Sequence, residues 1–416
     1  MFPKMISLLG LVAFIAMAWL LSNNRRRFPW RTVLTGLGLQ FAFALFILKT
    51  RAGFAIFSGV QHVVERLGNF SDEGAAMAFG PLAKGDALKT AFGEGNAYVF
   101  AISISATIIL ISALSALLYH WGILQRVVQA MAWVMQHAMR TSGTESLGGA
   151  SNIFLGQTEA ALLVKPYIPR MTQSEVMALM TTGMSTIATG VMVVYPRLGM
   201  DAGHILTASV LGAPAGLLVA KVMFPETKLS ETADGAPMKI ERTDANSLDS
   251  LCRGTSEGVH LAINVMGMLI AFVAIVALAN ALFGGVQGML GIAPEKQFTM
   301  QTILGYLNAP FAWLMGMPWK DCNMVGQVLG ERIVMNEFIG YISLSKQHAA
   351  LDPRSFTLAT YALCGFANFA SIAIQIGGIG AMAPTRRGDL AKLGLRAMIA
   401  GLLACYVMTA IVGILI

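Results

Sequence analysis

Long apolar runs broken by short polar strings dominate the chain. Residues 5–21 and 32–49 each approach the ~20 apolar residues that a transmembrane helix needs, and Arg25, Arg26, Arg27 and Arg31 crowd the stretch between them. Only Lys4 precedes the first run. Because Lys and Arg collect on the cytoplasmic side, the pattern predicts a retained span with its N-terminus outside. A signal peptide is the weaker reading, despite the cleavage-like Ala16-Met17-Ala18. Residues 53–67 alternate apolar and polar at helical spacing and predict an interfacial helix. Residues 72–96 read as a Gly-rich connection, 98–120 as a third span and 121–140 as an amphipathic interfacial helix.

The pattern then changes. Residues 144–169 are too polar and Gly-rich for a plain span, and their centre, Asn152 to Glu159, is flanked by pieces about half a membrane long. A hairpin that enters and leaves on one face fits, because irregular backbone at depth survives only inside protein or beside a polar cavity. Lys165 and Arg170 place its open end in the cytoplasm. Residues 174–195 follow, interrupted by small and hydroxyl residues from Gly183 to Gly190, and read as a helix broken at depth. Residues 205–224 form the next span, 225–253 a hydrophilic cytoplasmic loop, 260–283 a return span and 302–317 a short interfacial or partly inserted piece.

Hairpin, broken helix and span then recur. Residues 323–345 hold Asn336, Glu337 and Phe338; residues 356–382 break at 365–371; residues 384–396 carry Arg386, Arg387, Lys392 and Arg396; and residues 397–416 form a last span. The count is eight spans with both termini outside. The first hairpin opens to the cytoplasm and the second to the outside. The predicted fold is therefore an all-α integral membrane protein with eight transmembrane helices, two re-entrant hairpins and an inverted-topology repeat, whose site lies near the midplane.

Composition agrees with this reading. The 416 residues are 56% apolar and only 12% charged, with mean hydropathy +0.65, against ~25% charged in soluble domains. The net charge of +7 fits cytoplasmic loops better than nucleic acid. Four scattered cysteines make no metal or disulfide framework.

The chemistry gathers at the two polar strings. A carboxylate at bilayer depth costs at least ~2.5–3.5 kcal/mol, so Glu159 and Glu337 are functional candidates. Asn152, near the first hairpin tip, and Thr186, at the first helix break, offer an amide oxygen and a hydroxyl. With carbonyls freed by the break they make a hard-oxygen cage for a small cation such as sodium; the alternative is that both merely cap their helices. Gln157, Thr158 and Glu159 in one half, and Glu337, Asn368 and Ser371 in the other, balance donors and acceptors for a neutral, hydroxyl-rich solute. Phe366 adds an aromatic surface. No HExxH, Walker A or GxSxG string is present, so the chain shows no enzyme signature.

Three strings carry a resemblance: GQTEAALLVKPYIPRMTQSE at 156–175, NEFIGY at 336–341 and CGFANFASIAIQIGGIGAMAPTRRGDLAKLGLRA at 364–397. They resemble the concentrative nucleoside transporters, in a bacterial eight-span form. The resemblance implies a homotrimer in the cell inner membrane, importing nucleosides with sodium by elevator motion. It implies that Gln157, Thr158 and Glu159 face the base, with Phe366 packed against it and Val191 nearby. It gives Glu337, Asn368 and Ser371 to the ribose hydroxyls. It gives Asn152, the Leu155 carbonyl, Thr186 and the Ile187 carbonyl to sodium. Proton-coupled relatives lack the Asn at position 152, which favours sodium here. Ala161, Lys165 and Thr186 depart from the usual Pro, Arg and Ser of the family.

The expected partition is 1–140 as scaffold spans and interfacial helices, 141–224 as the first transport repeat, 225–317 as cytoplasmic loop and scaffold span, and 318–416 as the second transport repeat. The competing functions are a proton-coupled symporter of the same fold, a channel, and a membrane enzyme using Glu159 and Glu337 as acid and base. Whether the nucleoside is uridine-like or adenosine-like stays open.

Overall fold

A computed structural model describes residues 2–93, 99–233, 235, 244–293 and 297–416. Among the described residues every regular element is helical. The chain runs through α1 (Phe2–Leu20), α2 (Trp30–Lys49), α3 (Arg51–Phe79), α4 (Gly85–Phe92), α5 (Phe100–His120) and α6 (Ile123–Met139). The first hairpin is α7 (Gly143–Ser151) and α8 (Glu159–Leu163), and the first broken span is α9 (Gln173–Ser185) and α10 (Thr189–Met192). Then come α11 (Ala202–Met223), α12 (Ser247–Met289) and α13 (Met300–Leu314). The second hairpin is α14 (Trp319–Val334) and α15 (Glu337–Lys346); α16 (Pro353–Leu363) and α17 (Phe369–Met382) form the second broken span, and α18 (Arg387–Leu415) ends the chain.

Among the described residues six helices, α1, α2, α5, α11, α12 and α18, are long and apolar enough to cross a membrane. The interrupted pairs α9–α10 and α16–α17 supply two more crossings, which reproduces the expected eight. Burial grades sharply across them. α11 and α18 are almost wholly enclosed, whereas α1, α2 and α12 leave much of their apolar surface exposed. α1 packs on α18 and α2 on α11, while α5 pairs with α12.

Some expectations need correction. Residues 72–92 are not loop: α3 continues to Phe79, a 3-10 turn covers Gly80–Ala83, and α4 follows. Glycine inside a helix costs about 1 kcal/mol against Ala, but tertiary contacts hold α3 together. Ser71 Oγ meets Thr107 Oγ1 of α5 at 3.1 Å, and Arg197 reaches Asp72 (2.8 Å), the Gly68 carbonyl (2.6 Å) and Ser71 Oγ (2.7 Å). The remainder of that connection, 94–98, which includes the expected span start at Tyr98, lies outside the described residues. The cytoplasmic loop also ends earlier than expected, because Asn246 accepts from Asp249 N at 2.9 Å and starts α12 there. With 43 residues at ~1.5 Å each, α12 is about twice the ~30 Å hydrocarbon thickness, so it tilts or projects beyond it.

Candidate functional site

Two helix breaks meet at the centre. α9 ends at Ser185, and Thr186 turns extended at φ −129°, ψ 169°. α16 ends at Leu363, and Gly365 takes φ +153°, a conformation that side chains rarely adopt. A Cβ on Gly365 would stand 2.7 Å from the Met184 carbonyl oxygen and 2.9 Å from Cys405 Sγ. Only glycine lets the second break lie against the first. Gly212 and Gly216 of α11 do the same on another side, where side chains would meet Ser185.

The first hairpin tip docks on this junction. Thr189 gives both its hydroxyl (2.6 Å) and its amide (3.1 Å) to the Phe154 carbonyl. Ser209 of α11 donates to the Ile153 carbonyl at 2.9 Å and, at a long 3.5 Å, to that of Ile187. Asn152, only 1% exposed, gives its amide nitrogen to the Gly148 carbonyl (2.9 Å) and to Thr182 Oγ1 (3.2 Å). A backbone carbonyl can only accept, so this orientation is fixed. Among the described residues Asn152 Oδ1 then has no hydrogen-bond partner. Thr186 passes its proton to the Thr182 carbonyl at 2.8 Å, which leaves its oxygen lone pairs to accept. Both residues stand at helix C-termini, so capping and ligation are compatible roles: the donors cap, and the oxygens remain.

On the other half, Asn336 and Asn368 each start a half-helix, accepting from Ile339 N (3.0 Å) and Ser371 N (2.9 Å). With its oxygen occupied, Asn368 gives Nδ2 to Glu337 Oε2 at 3.1 Å. Gln157 Nε2 donates to Ser371 Oγ at 3.2 Å. Gln157, Ser371, Asn368 and Glu337 thus form one hydrogen-bonded line from the first hairpin tip, across the second break, to the second hairpin. All four are buried.

Other expected residues are placed less closely. Thr158 is half-buried against Gly378, where a Cβ would not fit. Glu159 is exposed, its carboxylate folded over Gly156, and is not enclosed as Glu337 is. Val191 is buried on α10, whereas Leu155 and Phe366 are half-buried.

Sequence reasoning missed several participants. Tyr195 reaches Glu337 Oε1 from its hydroxyl at 3.5 Å and packs its ring on Tyr341 (centroids 4.0 Å) and Phe338 (5.6 Å). Arg332, fully buried, donates to the Ala362 carbonyl at 2.7 Å and to Cys405 Sγ at 3.1 Å, and so satisfies the end of α16 beside the break. At the mouth of the first hairpin, two buried capping boxes, Ser142/Glu145 and Thr172/Glu175, start α7 and α9. Lys221 joins them, paired with Glu145 and donating to Ser174 Oγ at 2.9 Å. The S/T-x-x-E spacing was the legible signal for these boxes.

Family models match most of the chain: a Na+ dependent nucleoside transporter N-terminus over 9–82, a nucleoside-recognition gate over 101–201, and a Na+ dependent nucleoside transporter C-terminus over 204–413. The transporter YutK of Bacillus subtilis (strain 168) is 40% identical over 411 residues, covering 98% of each chain. Solute carrier family 28 member 3 of Mus musculus is 37% identical over 99% of this chain and 59% of its own length. The structure of CNTnw in an inward-facing substrate-bound state superposes with a TM-score of 0.93 at 35% identity, covering 99% of this chain and 97% of that one.

Proposed function

The chain belongs to the Na+ dependent nucleoside transporter family, and on that premise we propose that it imports nucleosides with sodium across a bacterial inner membrane, as a homotrimer whose transport parts move like elevators. It is a multi-pass membrane transporter of a Na+ dependent family, and not an enzyme. The acid–base reading of Glu159 and Glu337 therefore falls, and the opposite exposures of the two carboxylates agree with that.

The observation that carries the site assignment is the buried line Gln157–Ser371–Asn368–Glu337, with the unpartnered Asn152 oxygen beside its first member. In this reading Glu337, Asn368 and Ser371 hold the ribose hydroxyls. Gln157, Thr158 and Glu159 read the base, with Phe366 and Val191 against it. Asn152, Thr186 and the carbonyls of Leu155 and Ile187 hold sodium as transported cargo. Hard neutral oxygens suit a monovalent ion, and among the described residues no cluster of three or more His, Cys, Asp or Glu offers a competing metal site. The parts 141–224 and 318–416 would travel together, because the two breaks touch and the hydrogen-bonded line joins them.

Proton coupling through Glu337 is the second reading, favoured by the burial of that carboxylate. Uptake of labelled uridine and adenosine into proteoliposomes, with sodium replaced by choline at a fixed pH gradient, separates the two. Sodium coupling requires accumulation to collapse in choline; undiminished uptake would transfer the assignment to protons.

A further inference from the structure

Gln375 is a buried amide beside the site that none of these roles employs. It lies one helical turn beyond Ser371 on the same face of α17, with Gly378 completing the i, i+4, i+7 stripe toward the hairpin tip. It is wholly buried. Its Nε2 donates to Gln157 Oε1 and to the Met180 main-chain carbonyl, both at 3.0 Å. A carbonyl can only accept, so Met180 fixes which end of the Gln375 amide faces α9. That end is a donor, so the Gln157 atom opposite it must be its oxygen. Gln157 Nε2 is thereby turned toward Ser371 Oγ. One backbone carbonyl sets the flip of two side-chain amides in series. The approach requires bare backbone: a Cβ on Gly183 would stand 2.9 Å from Gln157 Cβ and 3.0 Å from Gln375 Nε2.

We propose that Gln375 is a positioning and specificity-determining residue, which locks Gln157 so that it meets the base as a hydrogen-bond donor. The inference rests on the assignment of Gln157 to the base. A locked donor favours a base edge carrying a carbonyl, as in uridine, over one carrying an amino group, as in cytidine. A freed amide rotates to serve either edge and pays ordering entropy on binding.

The test is a double-mutant cycle on the full-length protein in proteoliposomes, with uridine and cytidine as probes. Q375M keeps the length of the side chain and removes both donors. It is expected to raise the uridine KM about five- to tenfold, the value of one neutral hydrogen bond, with maximal rate retained and the uridine-to-cytidine preference drawn toward one. Q157M/Q375M should be no worse than Q157M alone. Additive losses, or a reduced maximal rate with KM and preference unchanged, overturn the proposal and leave Gln375 a packing residue. Should Q375M not assemble, Q375E, of equal size and lacking at least one of the two donors, carries the same cycle. If Q157M itself leaves nucleoside KM unchanged, the base assignment has failed; if Q157M is impaired and Q375M is not, only the present inference has failed.

Discussion

Replacing Glu337 by Gln should weaken nucleoside binding through the sugar alone. The carboxylate is 5% exposed and receives Asn368 Nδ2 at 3.1 Å and the Tyr195 hydroxyl at 3.5 Å. A glutamine of the same shape can still offer its oxygen to Asn368 and its nitrogen to the Tyr195 oxygen, so the internal contacts survive, while the charge and one of the two acceptor oxygens are lost. A hydrogen bond to a charged group contributes about 1.5–3 kcal/mol and a neutral one about 0.5–1.5 kcal/mol, a difference of roughly 1–1.5 kcal/mol per hydroxyl held. With the 2′ and 3′ hydroxyls both on Glu337, the loss is about 2–3 kcal/mol, or roughly 30–150-fold in Kd. Calorimetric titration of the detergent-solubilised protein at saturating sodium measures it directly. The 2′,3′-dideoxynucleoside is the control, because it has no hydroxyl to lose and should weaken by less than about threefold. Equal losses for uridine and its dideoxy analogue would refute the ribose assignment, as would unchanged uridine binding.

Asn152→Leu removes the unpartnered oxygen and should shift the sodium titration of uptake upward by about tenfold or more, the scale of a single good ligand interaction, while uridine recognition at saturating sodium changes less; an unaltered sodium midpoint would remove Asn152 from the ion site. Lys221→Met strands the buried Glu145 carboxylate and should cost about 3–5 kcal/mol of stability; thermal unfolding in detergent should show the loss and E145Q/K221M should recover much of it, whereas an unshifted midpoint would contradict the pairing. Arg332→Met leaves the Ala362 carbonyl at the end of α16 without its donor, a loss of about 1.5–3 kcal/mol that R332K should partly restore in the same measurement.

The elements that could be read from sequence were those whose signal is local. Eight crossings, both hairpins and both breaks follow from where polar and glycine residues interrupt apolar runs, as in Gly183 to Thr189 and Gly365 to Asn368. The continuation of α3 through Gly68 and Gly74 was hidden, because its support comes from Thr107 and Arg197, 36 and 126 residues from Ser71. The exposure of Glu159 was hidden for the same reason, since hydropathy reports depth along a run and not which way a side chain turns. Gln375 was within reach: it is the only amide in α17 and sits at i+4 from Ser371. Tyr195 was not, because an aromatic residue after a broken helix carries no mark of the carboxylate it meets 142 residues away.

On the proposed assignments, the placement of Asn152 five residues before Gln157 would give the coupling its physical basis. Both belong to one irregular tip between α7 and α8, and both close on the same glycine of α9: a Cβ on Gly183 would stand 2.9 Å from Gln157 Cβ and 3.4 Å from Asn152 Oδ1. Fixing one backbone residue costs about 1–2 kcal/mol. A cation that orders even two residues of the tip would relieve the nucleoside of about 2–4 kcal/mol of that cost, which overlaps the usual 1–3 kcal/mol of a coupling free energy. Linkage then requires that nucleoside tighten sodium by the same factor that sodium tightens nucleoside. A cation held away from the tip would bind as well and couple nothing, so on the proposed assignments symport would depend on Asn152 and Gln157 sharing one segment and one glycine.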